Sequence, residues 1–442
     1  MGRRTAWGRS DVGARVVARL SAARRVALAL AGERRRRGAR ARDFLRGSDA
    51  LSELDERDRG LVVRLVMGVT AAEGTLDAMI DAHLRRGAKL EPRVRDALRL
   101  ATFELVYQGT RSDVAVSQGV ELVRSVAPRA AGLANAVLRR VAEEDVAAVA
   151  AARERVGSGT FDARDLALVG ALPEWLAERV DTRALTALAP AAPWVAANLV
   201  KGNPFDSLRE AGCEPQEGPL PRSLRLGAPS RLAPSGLVES AAVIPCDLAA
   251  QEVALACAPV PGERVLEVGQ GRGTKTLLLQ NAAVAVGGPC EITAVELSPR
   301  KSELARRRME AAGVADHVRC VCADGRALPE DLGTFDLVFL DAPCSGTGTL
   351  ARHPEIAWSL SPEAPAELAV LQAELLASAA AHVAPGGRLV YATCSVLAEE
   401  NGAVVQAFLA SPAGASFELV HSGLTEVPGS SDTHFHAVLS RA

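Results

Sequence analysis

Residues 263–276 read ERVLEVGQGRGTKT. An apolar run ends on Gly269, glycine recurs at every second position to Gly273, and residues able to open a helix follow. Strand, glycine turn and helix in that order predict the first unit of an α/β sheet. The chain beyond residue 240 repeats the theme. CEITAVEL (290–297), VRCVCADG (318–325), FDLVFLDAP (335–343) and GRLVYATCS (387–395) read as further strands. SPRKSELARRRMEAAG (298–313) reads as a helix between two of them. Alternation of this kind implies an open, mainly parallel sheet with helices on both faces, and such sheets bind ligands beyond the carboxyl ends of their strands. Gly269, Glu296, Asp324, Asp341 and Cys394 all fall on that edge.

The chain upstream has a different texture. To about residue 146 it is nearly free of proline. RGLVVRLVMGVTAAEGTLDAMIDAHLRR (59–86) and PRVRDALRLATFELVYQG (92–109) repeat apolar residues at three- and four-residue spacing,. Pro92 suits a first helical turn and Asp113 a helix start. RAAGLANAVLRRVAEE (129–144) closes the series, predicting a bundle of about five to seven helices. Between 147 and 240 prolines recur and periodicity weakens, which predicts a small mixed connector domain. The fold expected is thus multidomain: an all-α bundle over 1–146, the connector over 147–240, and an α/β domain over 241–442.

The 442 residues carry a net charge of −2, which hides an asymmetry. Residues 1–150 hold 28 Lys and Arg against 19 Asp and Glu, and the remainder 23 against 34. A basic N-terminal module suits nucleic-acid phosphates, although a solvated helix face with a loose arginine tail would look the same. No apolar run approaches the roughly 18 residues of a membrane span. The arginine-rich start lacks the features of a secretory signal. All eight cysteines lie beyond residue 212 without regular spacing, so a reducing cytoplasm is expected rather than a disulfide framework.

The glycine loop admits three readings. A Walker phosphate loop needs lysine directly after its last glycine, and here Thr274 intervenes. A dinucleotide fingerprint spaces its glycines differently. The third reading is the S-adenosylmethionine loop of class I methyltransferases, where bare backbone approaches the ligand because a Cβ would block it. Gly269, Gln270, Gly271, Arg272, Gly273, Thr274 and Lys275 are then the cofactor loop. Glu296 can accept from two ribose hydroxyls, and Asp324 from the adenine amino group. Acids at strand ends are also common helix caps. Lys275 is expected near a carboxylate.

Two thiols sit at neighbouring strand ends, Cys344 after Asp341 and Cys394 fifty residues on. A methyl acceptor that needs a thiol is an electron-poor carbon. Adding a thiolate to C6 of a pyrimidine makes C5 an enamine carbon able to attack a sulfonium methyl, which is covalent catalysis. Asp341 could bond N3 and the exocyclic amine of a cytosine. One thiol would attack and one would help release. Cys213, Cys246, Cys257, Cys290, Cys320 and Cys322 read as small buried apolar residues. CVC (320–322) with His317 offers no fourth ligand for a metal. His434 and His436 read as surface or strand residues.

On DAPCSGTG (341–348), YATCS (391–395), RHPEIAW (352–358) and EENGAVVQAFL (399–409), the chain resembles the RsmB/NOP family of RNA cytosine-5 methyltransferases. The resemblance implies a Rossmann-like domain, S-adenosylmethionine as cofactor, Cys394 as nucleophile, Cys344 in product release and Asp341 beside it. VAVSQGVELVR (114–124) and GLANAVLRR (132–140) are similar to the NusB-like RNA-binding fold found in the small-subunit ribosomal RNA member. That arrangement implies 16S rRNA, or a partial small-subunit particle, as partner, with no metal and no membrane, and a monomer. EVGQGRGTKT departs from the family's D-L-C-A-A-P-G-G-K-T, with Glu267 for its aspartate. DTHFHAVL (432–439) departs from its D-G-F-F-x-A. A non-catalytic RNA-binding or ribosome-assembly protein with a drifted cofactor loop is the alternative.

Overall fold

The computed structural model describes residues 20–46, 48–182 and 185–442. The arginine-rich start, read above as a tail, lies outside them. Two compact units divide the chain. The first comprises residues up to Ala39, Phe44–Val69 and Leu76–Ala148, and the second Arg40–Asp43, Thr70–Thr75 and Val149–Ala442.

The first unit is helical. Helix Pro92–Val106 begins on proline and is buried along most of its length. Its buried charged residues Asp96, Arg99 and Glu104 each have a charged partner. Arg24 holds Glu104 through two bonds of 2.8 and 2.6 Å, Arg35 holds Asp96, and Arg99 holds Asp77. Several arginines of the basic module are therefore structural. Gly119 lets helix Ser112–Val126 approach its neighbours, because a Cβ there would lie 2.5 Å from Ala101 Cβ and 2.6 Å from Leu138 Cδ1. Asp113 occupies the first turn of that helix, and Arg111 precedes it as the cap residue. Helix Ala131–Arg140 does not stop where the sequence pattern does. It continues through a wider π turn, Val141–Asp145, into helix Val146–Ser158.

The second unit holds two sheets. The smaller one is antiparallel, with β1 (Trp194–Ala197), β2 (Pro215–Glu217), β3 (Ser223–Leu226) and β4 (Val243–Pro245) in the order β2-β3-β1-β4. The larger contains β5 (Arg264–Val268), β6 (Glu291–Glu296), β7 (Val318–Cys322), β8 (Phe335–Asp341), β9 (Val383–Thr393), β10 (Phe417–Leu424) and β11 (Phe435–Arg441). Its order is β10-β11-β9-β8-β5-β6-β7. Strands β5 to β9 pair in parallel, whereas β11 runs antiparallel to β9 and β10 antiparallel to β11.

The near-continuous apolar run of β8 follows from burial on both faces. Leu337 and Phe339 enter one core with Leu277, Leu279 and Met309. Val338 and Leu340 enter the other with Leu376, Val405 and Phe408. The chain leaves β5 for β6 on one side and later returns to β8 on the other, so the topological switch point lies between β5 and β8. Gly269 and Asp341 are the residues that meet there.

Candidate functional site

Gly269 has a φ of 91°, and a Cβ on it would lie 2.3 Å from the Asp341 carbonyl oxygen. Glycine is therefore required twice over, by conformation and by space. Gly271 (φ 59°) has open space where its side chain would be. Gly271 N donates to Glu296 Oε2 at 2.8 Å, and Ser298 N to Glu296 Oε1 at 2.9 Å. Each oxygen of Glu296, a 7 % exposed residue, keeps a lone pair for a further donor. Gln270 turns inward to Cys320 Sγ. Thr274 accepts from Arg308 Nη1, which also reaches the Arg272 carbonyl. Gly273 precedes the helix Thr274–Ala285.

Lys275 projects from the first turn of that helix to Asp341 at the end of β8, with Nζ 2.8 and 2.7 Å from the two carboxylate oxygens. Burial alone would lower the Lys275 pKa, but the Asp341 charge outweighs it and the net direction is upward. Asp324 caps the turn Gly325–Ala327 through Arg326 N, and Arg326 also bonds both its oxygens. Those bonds hold its carboxyl down at about 2. In this geometry it acts as a cap.

The two thiols meet. Cys344 Sγ and Cys394 Sγ are 3.1 Å apart, and Cys394 N donates to Cys344 Sγ at 3.2 Å. The hydrogen bond from Cys344 favours thiolate at Cys394, burial opposes it, and the Lys275 charge reinforces it, so its pKa falls. Cys344 is raised well above the ordinary thiol range by the same bond and by burial. The pair is therefore unequal, and thiolate is favoured at Cys394 over Cys344. Backbone bonds stitch the surroundings together: Gly348 N to Cys394 O at 2.9 Å, and Thr433 N to Gly348 O at 2.8 Å.

Beneath the thiols lies a polar network that the sequence pattern did not signal. Glu400, fully buried, accepts from Ser345 N at 2.7 Å, Ser345 Oγ at 2.5 Å, Ser395 Oγ at 2.5 Å and Gln372 Nε2 at 3.2 Å. Ser345 and Ser395 are the residues after the two cysteines. Tyr391 Oη donates to the Glu400 carbonyl and to Gln372. Arg352, in the segment between the thiols, holds Asp432 through Nε at 3.0 Å and through Nη2. Burial, against Arg352, lifts Asp432 to about 6.

Other expectations need correction. His434 and His436 are buried, at 3 % and 4 % exposure; His436 lies on β11, so its strand reading stands and only the surface reading of the two fails. Both ring nitrogens of His434 lack a hydrogen-bond partner, and burial drives its pKa well down. Cys213, Cys246, Cys257 and Cys290 are buried, but Cys320 is only partly covered and Cys322 is exposed, since β7 is an edge strand. His317 pairs with Glu291. Among the described residues no group of three or more metal-binding side chains converges, and no helix is long and apolar enough to cross a membrane.

Residues 254–434 match the family described as 16S rRNA methyltransferase RsmB/F, and residues 18–143 match the NusB family. The ribosomal RNA small subunit methyltransferase B of Thermus thermophilus is 33% identical over 92% of this chain and 94% of its own. The protein of the same name from Klebsiella pneumoniae is 30% identical over 85% and 87%. The crystal structure of PH0851 shares the fold, with a TM-score of 0.71, 22% identity, and coverage of 95% of this chain and 99% of that one. The open backbone at Gly271 and the spare lone pairs of Glu296 suit a nucleoside-bearing ligand. With S-adenosylmethionine as its cofactor, the chain belongs to the RsmB/F family of 16S rRNA methyltransferases.

Proposed function

We propose that this protein methylates C5 of a cytosine in 16S rRNA through a transient bond between Cys394 and C6 of the base. The contact between Cys344 and Cys394, 3.1 Å apart beside the Lys275–Asp341 pair, carries this reading. Pyrimidine C5 chemistry asks for one sulfur to add and a second group to assist its departure. The Cys394 thiolate adds to C6, and the electrons of the C5–C6 double bond move to C5. Asp341, protonated when the base is bound, donates to N3 and accepts from the exocyclic amine, so the ring can take up charge as sulfur adds. Bound S-adenosylmethionine supplies the electrophilic methyl for C5. The C5 proton then passes to water, its C–H electrons re-form the double bond as the C6–S bond breaks, and sulfur leaves as a thiolate to which the Cys344 thiol donates. Cys344 serves that release.

The loop Gly269–Lys275 would hold the methionine part of the cofactor, Glu296 its ribose hydroxyls, and Asp324 its adenine amino group through lone pairs left by Arg326. Residues 1–146 would bind RNA and residues 147–240 would connect them to the methyltransferase domain, in a cytoplasmic monomer. The target base must leave its stack to reach Cys394, at a cost of about a few kcal/mol. Bisulfite sequencing of 16S rRNA from cells with and without the protein tests the reading. One cytosine should lose protection on deletion and regain it on complementation. An unchanged pattern would sink the proposal.

A further inference from the structure

Cys344 and Cys394 lie on loops that leave different strands fifty residues apart, and nothing in either loop alone fixes a contact of 3.1 Å between their sulfurs. One buried carboxylate touches both loops. Glu400 Oε1 accepts the main-chain N–H of Ser345, and Oε2 accepts the hydroxyls of both Ser345 and Ser395. Hydroxyl contacts brace the same junction, with Thr347 Oγ1 3.0 Å from Ser395 Oγ and receiving Val396 N at 3.2 Å. The carboxylate is itself held in place. Gln372 bonds Oε1 and also the Pro343 carbonyl in the first thiol loop. Asn401, the next residue, donates to Ser395 O and accepts from Thr393 Oγ1.

We propose that Glu400 is a positioning residue of this site: it ties the Cys344 loop to the Cys394 loop, and its charge keeps the shared proton on Cys344. That Cys394 is the sulfur needing to be free of the proton rests on the function proposed above. The carboxylate bonds the residue after each cysteine, but the main-chain bond it accepts belongs to the Cys344 loop. A negative charge there disfavours a thiolate at Cys344. The remaining charges facing the pair are Lys275, which favours thiolate at Cys394, and Asp341 and Asp432, which oppose it. The Tyr391 phenol, buried beside Cys344, is held neutral by that burial. Glu400 thus bears on Cys344 and Lys275 more on Cys394 than on Cys344, and the two charges polarise the pair in one direction.

The test needs neither RNA nor cofactor, so its outcome is independent of which base is methylated. The purified full chain is treated with iodoacetamide from pH 5 to 9, and alkylation at each cysteine is followed by peptide mass spectrometry. In the wild type, Cys394 should react before Cys344, with the lower pH midpoint. Glu400→Gln keeps the shape of the side chain and removes its charge. It should narrow the rate ratio between the cysteines by about tenfold, the equivalent of one pKa unit, and Glu400→Asp should restore part of it. A ratio and midpoints unchanged in a folded Glu400→Gln would overturn the proposal. Should that variant not fold, Ser345→Ala and Ser395→Ala each remove one tie, and unchanged selectivity in both would overturn it equally.

Discussion

Lys275 spans both oxygens of Asp341, at 2.8 and 2.7 Å, and so joins the helix after the glycine loop to the strand that delivers the first thiol. A lysine in the first turn of that helix thereby sets the charge facing the end of the neighbouring strand. Lys275→Met should leave Asp341 charged and unopposed near Cys394. The loss of charge-assisted bonds should cost about 1.5–3 kcal/mol of stability, read as a lower melting temperature. The alkaline shift is the more specific result: the pH–rate profile of methyl transfer should move upward, because Cys394 loses the cation that favours its thiolate. A profile unmoved by the substitution would remove Lys275 from the activation of Cys394.

The two thiols should fail differently. Cys394→Ser should be inactive and form no covalent species. Cys344→Ser should still add to the base but release it poorly, trapping an RNA–protein complex that survives denaturing gel electrophoresis. The trap should vanish in the double variant. Trapping by Cys394→Ser instead would reverse the assignment.

Glu267 is fully buried, and burial lifts its pKa to about 7. One oxygen accepts from Thr276 Oγ1 at 2.6 Å and the other has no partner. Because the folded-state value lies above the unfolded one, its contribution is fully present below about pH 4.5 and is lost as pH rises to about 7. The loss amounts to about 3 kcal/mol. Glu267→Gln should therefore be little different from wild type at pH 5 and clearly more stable at pH 8, measured by denaturant titration of the cofactor-free protein. An advantage equal at both values would contradict the buried ionisation.

His434 stands where the family pattern has phenylalanine, buried with neither ring nitrogen hydrogen-bonded and Nε2 4.0 Å from an Asp432 oxygen. A buried polar atom without a partner costs about 1–3 kcal/mol. His434→Phe should raise the melting temperature by several degrees. A fall would mean that the ring nitrogens have partners in solution, such as a bound water.

RNA affinity of the helical module should depend steeply on salt, with a log–log slope of roughly −0.7 to −0.9 per phosphate neutralised. Arg85, Arg86 and Lys89 are exposed, and replacing them with alanine should flatten that slope in a filter-binding assay. Arg24→Ala should act otherwise. Its bond to buried Glu104 makes it a stability variant, visible as a lowered melting temperature.

The sheet and its functional edge were legible because continuous apolar runs ending in Gly269, Glu296 and Asp341 leave few alternatives for where the chain must turn. The two cysteines were legible because a thiol at a strand end beside an acid has few other uses. Glu400 was not, since EEN on a helix-like stretch reads as solvated charge until the fold buries it under Ser345 and Ser395. The burial of His434 was equally hidden: β11 inserts between β9 and β10, and a pairing that reverses chain order leaves no local pattern. The continuation past Glu144 to Ser158 escaped for a related reason, as a π turn shifts the apolar period without breaking the helix.

At residue 269 a side chain would collide with the main chain of Asp341, not merely with a ligand. Replacing this glycine must displace the acid, and with it the ammonium of Lys275 and the field felt by Cys394. Under the function proposed above, affinity for the cofactor and reactivity of the sulfur are bound into one inheritable trait at this position, and a lineage could not tune either without retuning the other.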